Sequence, residues 1–231
     1  MRKAFLALLL TFAISACTSV AISTPPPSPQ VFLLRVSSSL PPDFFNKLDS
    51  CAANNPEIAL IVESSSSDSF GEPGNSVEIL VGEPAGDITS YANILGWEEL
   101  VVIVHPAVSP AGWTLSRIQE TFRDPPTGRI VWTYPQGHEL RRVFDQSVLD
   151  GQPTSPEAFL VPNPKAMLTS ISSNPGSIGY IPRSWLTERV LRLPLDEIPQ
   201  SKLRIPILAI TPREPTGLLR NVLVCLQGPE S

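Results

Sequence analysis

The chain has 231 residues, 42% of them hydrophobic and only 17% charged, which is the composition of a folded globular protein and excludes a disordered one. Its 22 acidic against 17 basic residues give a formal charge of −5, the wrong sign for a nucleic-acid binder that must displace counterions with a basic patch. Proline is the outlier at 26 residues, and most of these lie between periodic segments as stiffened connections.

Met1-Arg2-Lys3, the apolar run from Ala4 to Ile14 and Ser15-Ala16-Cys17 have the three parts of a secretory signal. The run is about eleven residues, short of the roughly 18–20 that cross a bilayer as a helix. Ile14-Ser15-Ala16-Cys17 resembles a bacterial lipobox, in which residues 1–16 are removed and Cys17 is lipidated as the mature N-terminus. An ordinary cleaved signal with an incidental cysteine is the alternative. Acyl chains on Cys17 would anchor the protein, since each buried CH₂ contributes ~0.8 kcal/mol. The expectation is a protein outside the cytoplasm, lipid-anchored to the cell membrane. Without Arg2 and Lys3, the 17 basic residues become 15 and the net charge −7. Residues 17–30 form a Ser/Thr/Pro-rich linker, an extended tether.

Val31–Val36 is a strand candidate, followed by Ser37-Ser38-Ser39. A helix fits 42–53, with Phe44, Leu48 and Cys51 on one stripe. Strands follow at 58–62 and 77–81, separated by the polar run that begins at Ser64. Leu100–Val104 is wholly apolar, the pattern of the middle of a parallel sheet. A helix at 114–123 is capped by Thr114, a short strand follows at 130–134, and a helix covers roughly 138–149. Asn163-Pro164 starts another helix, an N-cap followed by proline at the first helical position. Strands at 177–181 and 205–210 and a short helix near 218–226 complete the chain. Strands alternating with helices predict an α/β fold with mostly parallel sheets. Besides Cys17, only Cys51 and Cys225 remain: they form one disulfide, or each is a small buried apolar residue. His105 and His138 stand far apart and no Cys/His cluster exists, so neither a metal site nor a cofactor is expected.

Between residues 100 and 186 the order of features is specific: a strand ending in Val104-His105-Pro106, then Thr114-Leu115 opening a helix, Arg129-Ile130-Val131-Trp132, a helix opened at Gly137, and Pro175-Gly176-Ser177-Ile178-Gly179-Tyr180-Ile181. This resembles the phosphate-binding-protein branch of the type 2 periplasmic solute-binding superfamily. The resemblance implies a two-lobed α/β fold with flanking helices, with lobe one at 31–104 plus 187–231 and lobe two at 105–186. It also implies a monomer that traps a small polar or anionic solute between lobes that close by hinge motion and passes it to an ABC transporter permease.

In open α/β sheets, ligands bind beyond the carboxyl ends of strands, where loops meet helix N-termini. Three segments fit. Ser37, Ser38 and Ser39 follow the first strand, Ser64, Ser65 and Ser66 follow the second, and Gly137-His138 opens the helix after 130–134. Arg141 and Arg142 could add positive charge, or either only covers the helix surface. Serine runs are more often solvated loops, a lone His138 is more often a cap than a ligand contact, and Trp97, Trp113, Trp132 and Trp185 are more often core than a cleft floor. Where phosphate-binding members carry an arginine and Ser-Gly-Thr, this chain reads Tyr134-Pro135-Gln136-Gly137-His138-Glu139-Leu140-Arg141. Glu139 falls in the first helical turn, where its carboxylate would itself occupy the helix dipole and repel an anion. At about 5 Å two unit charges repel by roughly 3 kcal/mol at an effective dielectric of 20, comparable to two decades of affinity.

No Gly-x-Ser-x-Gly elbow, Ser-x-x-Lys, phosphate loop ending in Gly-Lys or HExxH is present, so no enzyme is expected. The function expected is a lipid-anchored solute-binding protein for an ABC importer. The alternative is a lipoprotein that keeps the fold as a partner-binding or assembly module, and a filled cleft would favour it.

Overall fold

The computed structural model describes residues 28–64, 76–84 and 90–227. The signal segment, Cys17, most of the linker, Ser65 and Ser66 lie outside the described residues.

Strand β1 (Gln30–Val36) leads into helix α1 (Phe44–Ala53), whose buried side is Phe44, Leu48 and Cys51. Strands β2 (Ile58–Ser64) and β3 (Ser76–Val81) flank β1, both parallel to it. Strand β4 (Tyr91–Val104) is far longer than the apolar run at 100–104 suggested. Its first half is half-exposed and carries Gly96 and two glutamates, so it lacks the continuous apolar signature of the second.

Helix α2 (Leu115–Arg123), β5 (Ile130–Thr133), α3 (Glu139–Ser147), the short β6 (Phe159–Leu160), α4 (Pro164–Ser173) and β7 (Ser177–Pro182) form the next block. The chain then returns through a 3₁₀ turn at Arg183–Trp185, β8 (Leu191–Arg192) and α5 (Gln200–Leu203) to β9 (Arg204–Thr211) and α6 (Gly217–Gln227). Three helix starts are set by side chains: Thr114 accepts from Arg117 N–H, His138 from Leu140 N–H and Asn163 from Ala166 N–H.

The sheet order is β2-β1-β3-β9-β4-β7-β5-β6, with β8 also on β4. β4 belongs to both halves. Tyr91–Glu99 pairs with β9, and Leu100–Val104 pairs with β7. The outer pairs (β1 with β2 and β3, β5 with β6 and β7) are parallel as the alternation predicts, while β4 is antiparallel to β7, β8 and β9, and β3 to β9. Leu100–Val104 is completely buried, which is what its apolar run encodes; strand direction is set by how the chain returns, not by hydrophobicity.

In the second half an aromatic cluster forms the core. Phe144 stacks on Tyr180 with ring centroids 3.9 Å apart, and Phe122 and Tyr134 lie against the same group. The Tyr180 hydroxyl meets Thr133 Oγ1 at 2.8 Å, and the Tyr134 hydroxyl donates to the Tyr180 carbonyl at 3.1 Å. Burial pushes both phenols above their ordinary titration range. In the first half Cys51 of α1 and Cys225 of α6 form a disulfide, which settles the open pairing. Among the described residues no helix is long and apolar enough to cross a membrane.

Candidate functional site

The turn after β1 is built by its own serines. Ser37 N–H donates to the Ile79 carbonyl of β3 at 2.8 Å, and Ser39 N–H donates to Ser37 Oγ at 3.0 Å. Ser37 and Ser39 are buried and Ser38 is exposed. Trp185, in the returning 3₁₀ turn, donates its indole N–H to the carbonyls of Leu40 at 3.0 Å and Ser39 at 3.3 Å. The β1–β2 register sets Ser64 beside Val36, so the exposed Ser64 leaves the sheet at the same end as this turn.

On the other side, Pro135-Gln136-Gly137 turns the chain into α3. His138 N–H closes this turn on the Pro135 carbonyl at 3.2 Å, and Gly137 takes a φ of +87° that side chains disfavour. His138 caps the helix through Nδ1, which accepts from Leu140 N–H at 3.2 Å, and its ring stacks on Tyr134 at 4.4 Å. Nδ1 as acceptor leaves the ring proton on Nε2, toward the Pro162 carbonyl. Desolvation lowers the His138 pKa, with Arg142 adding a small push and Glu139 and the Pro162 carbonyl opposing it. The imidazole is thus neutral at pH 7. Its 3.5 Å approach to Glu139 Oε2 is no ion pair.

A side-chain bond joins the two sides: Ser37 Oγ donates to Glu139 Oε1 at 2.6 Å, between residues 102 positions apart. The Glu139 side chain is 17% exposed. Gly82, at the end of β3, adopts φ +100°, and a Cβ there would lie 3.6 Å from Glu139 Cβ, so backbone from the first half closes against the start of α3. Arg142 reaches across to the Glu83 carbonyl. Arg141 is directed elsewhere: it donates to the Tyr134 carbonyl at 3.0 Å and stands 3.5 Å from Asp145.

Of the residues singled out from the sequence, the structure therefore brings Ser37 and Ser39 to the start of α3 at His138, leaves Gly137 and Ser38 exposed at the edge, and occupies Arg141 within its own half. The contacting roles of Glu139, Gly82 and Trp185 were not anticipated, and Arg142, expected as a source of charge, is spent on the Glu83 carbonyl. Glu139's first-turn position was visible, but its acceptance of a hydroxyl from a distant turn was not. Trp113 is buried as core, whereas Trp97 is half exposed with the Arg204 guanidinium 4.6 Å over its ring.

Beside the site, the long strand is clamped to the returning chain. Glu99 receives Arg183 and Arg192, each at 2.7 Å. Glu98 accepts from Ser184 N–H at 3.2 Å and Oγ at 2.8 Å. Among the described residues, no group of three or more metal-ligating side chains converges.

No family model matches the chain, and no curated protein does. Solved structures do. A protein described as a phosphate ABC transporter substrate-binding protein, with bound phosphate, from Clostridium perfringens superposes with a TM-score of 0.68 at 14% identity, over 85% of this chain and 93% of that one. An ABC-type phosphate transport receptor from Vibrio cholerae gives 0.65 at 15% identity, over 86% and 94%. A reduced form of OxyR from N. meningitidis gives 0.67 at 16%, again over 86% and 94%. A transport receptor and a regulatory protein thus share this architecture, and the likeness is one of fold. The chain has the type 2 periplasmic-binding-protein-like fold, a mixed α/β sheet with flanking helices.

Proposed function

We propose that the chain is a lipid-anchored, extracytoplasmic solute-binding protein that serves an ABC importer as a monomer and carries out no catalytic step. Its solute binds between the Ser37–Ser39 turn and the start of α3. The observation that carries this reading is the Ser37–Glu139 bond, because it joins a polar side chain at the end of β1 to one at the start of α3. The disulfide fits an oxidising compartment, and the signal-like first residues fit export. Two of the fold's neighbours are phosphate transport proteins, but a carboxylate here disfavours phosphate. The solute that fits is small and polar and presents O–H or N–H donors to Glu139, as a polyol or an amine does.

A second reading is favoured by the same bond together with the Arg142–Glu83 contact: the halves are stitched by the protein's own groups, as in a module that keeps the fold to bind a partner.

Thermal unfolding of the purified chain against a panel of oxyanions, sugars and amino acids separates the two. A ligand with Kd near 1 μM at 1 mM adds ~4 kcal/mol of stability. A shift with a neutral or amine-bearing solute is the expected result. Silence across the panel overturns solute binding and leaves the partner-binding module.

A further inference from the structure

We infer that Glu139 is a tethered internal ligand: its carboxylate holds the position between the two halves that a free oxyanion or carboxylate would take, and thereby both fastens the halves and excludes such anions. This rests on the reading of the Ser37–α3 junction as the binding place and adds to it the identity of the resident occupant.

The seating is that of a ligand. Ser37 Oγ accepts from Ser39 N–H and donates a hydrogen bond to Glu139 Oε1 at 2.6 Å, the short length of a hydroxyl bound to a charged acceptor. The chain N–H → Oγ–H → carboxylate polarises in one direction, so each bond strengthens the next. Glu139 is the first residue of α3, where unpaired N–H groups and the helix dipole favour negative charge. These same features receive free anions when a helix start is empty.

Among the described residues no arginine or lysine pairs with the carboxylate. Among the described residues, its only neighbour at ion-pair distance is His138, which is neutral and presents a lone pair. Arg141 and Arg142 are both turned to backbone carbonyls. The charge is thus held by the junction itself, from a serine supplied by the opposite half.

Ser39 Oγ, two residues from Ser37, is fully buried and has no hydrogen-bond partner. Gly82 brings bare backbone against the Glu139 stem. Removing the Glu139 side chain leaves a carboxylate-sized gap beside a free serine hydroxyl and a helix N-terminus.

The test is chemical rescue, read by thermal unfolding of the full chain at pH 7.5 and constant ionic strength. Sodium acetate and sodium phosphate are the probes, with chloride as control. Wild type is expected to show no response beyond chloride. Glu139→Ala should unfold at lower temperature and recover with acetate or phosphate, by about 5 °C at a hundredfold excess over Kd. Its affinity for these anions should exceed that of wild type about a hundredfold. Adding Ser37→Ala should abolish the rescue. Glu139→Gln, which keeps the shape and an acceptor for Ser37, should stay near wild type and ignore both anions. If Glu139→Ala folds only poorly, refolding yield in acetate against chloride reads the same effect.

Equal phosphate responses in wild type and Glu139→Ala, or no anion-specific recovery in Glu139→Ala, overturn the inference. The two readings fail separately. A neutral solute that stabilises wild type sustains solute binding whatever Glu139→Ala does. Rescue of Glu139→Ala, with wild type silent to the whole solute panel, sustains the tethered ligand and removes the importer.

Discussion

Cys51 on α1 and Cys225 on α6 are joined across 174 positions, so one bond ties the first helix of the fold to the last. The first and last described elements, β1 and α6, belong to the same half, and the second half is an excursion between them. In the chain-entropy account a loop of this length restrains the unfolded state by about 5 kcal/mol, near the upper end of what disulfides contribute. Reduction, or the double variant Cys51→Ala/Cys225→Ala, should lower unfolding stability by about 3–5 kcal/mol, measured by urea titration with and without reductant. A reduced protein as stable as the oxidised one would show that helix packing alone holds α1 and α6 together.

Ser37→Ala tests the junction from the donor side. The partly exposed Glu139 carboxylate loses its hydroxyl and the buried Ser39 N–H loses its acceptor, and an unsatisfied buried group costs about 1–3 kcal/mol. The double cycle with Glu139→Ala, which removes the acceptor, should show a coupling of at least about 1 kcal/mol, since the two residues touch. Additive effects would mean the bond contributes nothing to stability.

His138 predicts an acid limb. Its pKa is lowered in the fold, so the unfolded chain binds more protons below about pH 6.5. The stability present above that pH should be lost as pH falls toward the folded value. His138→Asn keeps an N-cap acceptor and removes the titration. Its stability should match wild type within about 1 kcal/mol at pH 7.5 and fall less steeply between pH 6.5 and 5. Identical slopes would place the acid sensitivity elsewhere.

Glu98 predicts the opposite sign. Desolvation raises its pKa, with Asp43 and Glu99 adding repulsion against the bonds from Ser184. A raised carboxyl is favoured below its unfolded value of about 4.3 and loses that advantage as pH rises through the folded value. Glu98→Gln retains an acceptor for Ser184 and should raise Tm at pH 7.5 while leaving Tm at pH 4 nearly unchanged. A lower Tm at pH 7.5 would show that the charged bonds to Ser184 outweigh the burial.

Gly179 sits on β7 beneath α4, where a Cβ would lie 2.5 Å from Met167 Sδ and 3.2 Å from Ile171 Cδ1. Gly179→Ala should destabilise by about 1–3 kcal/mol through overpacking, and Met167→Ala should recover part of that loss in the double variant. Urea midpoints of the three variants decide it.

Much of the fold was legible in the sequence because its elements announce themselves locally. Thr114, His138 and Asn163-Pro164 mark helix starts, and Leu100–Val104 marks a strand buried on both faces, since capping and hydrophobic periodicity act within a few residues. The half-exposed stretch Tyr91–Glu99 escaped because its burial is settled by β9 and α6 packing against it, not by its own pattern. At the junction, residue types alone identified Ser37, Ser39 and His138 as polar groups placed at strand and helix ends, and Glu139 as a carboxylate in a first helical turn. Only the tertiary structure decided that the serine from one half would bind the glutamate of the other, that Arg141 would turn back on Asp145, and that Trp185 would hold the serine turn. Caps and periodicity are local interactions that a sequence displays. The partner of a side chain over a hundred positions away depends on the path of β4 and on strand directions, which no local pattern encodes.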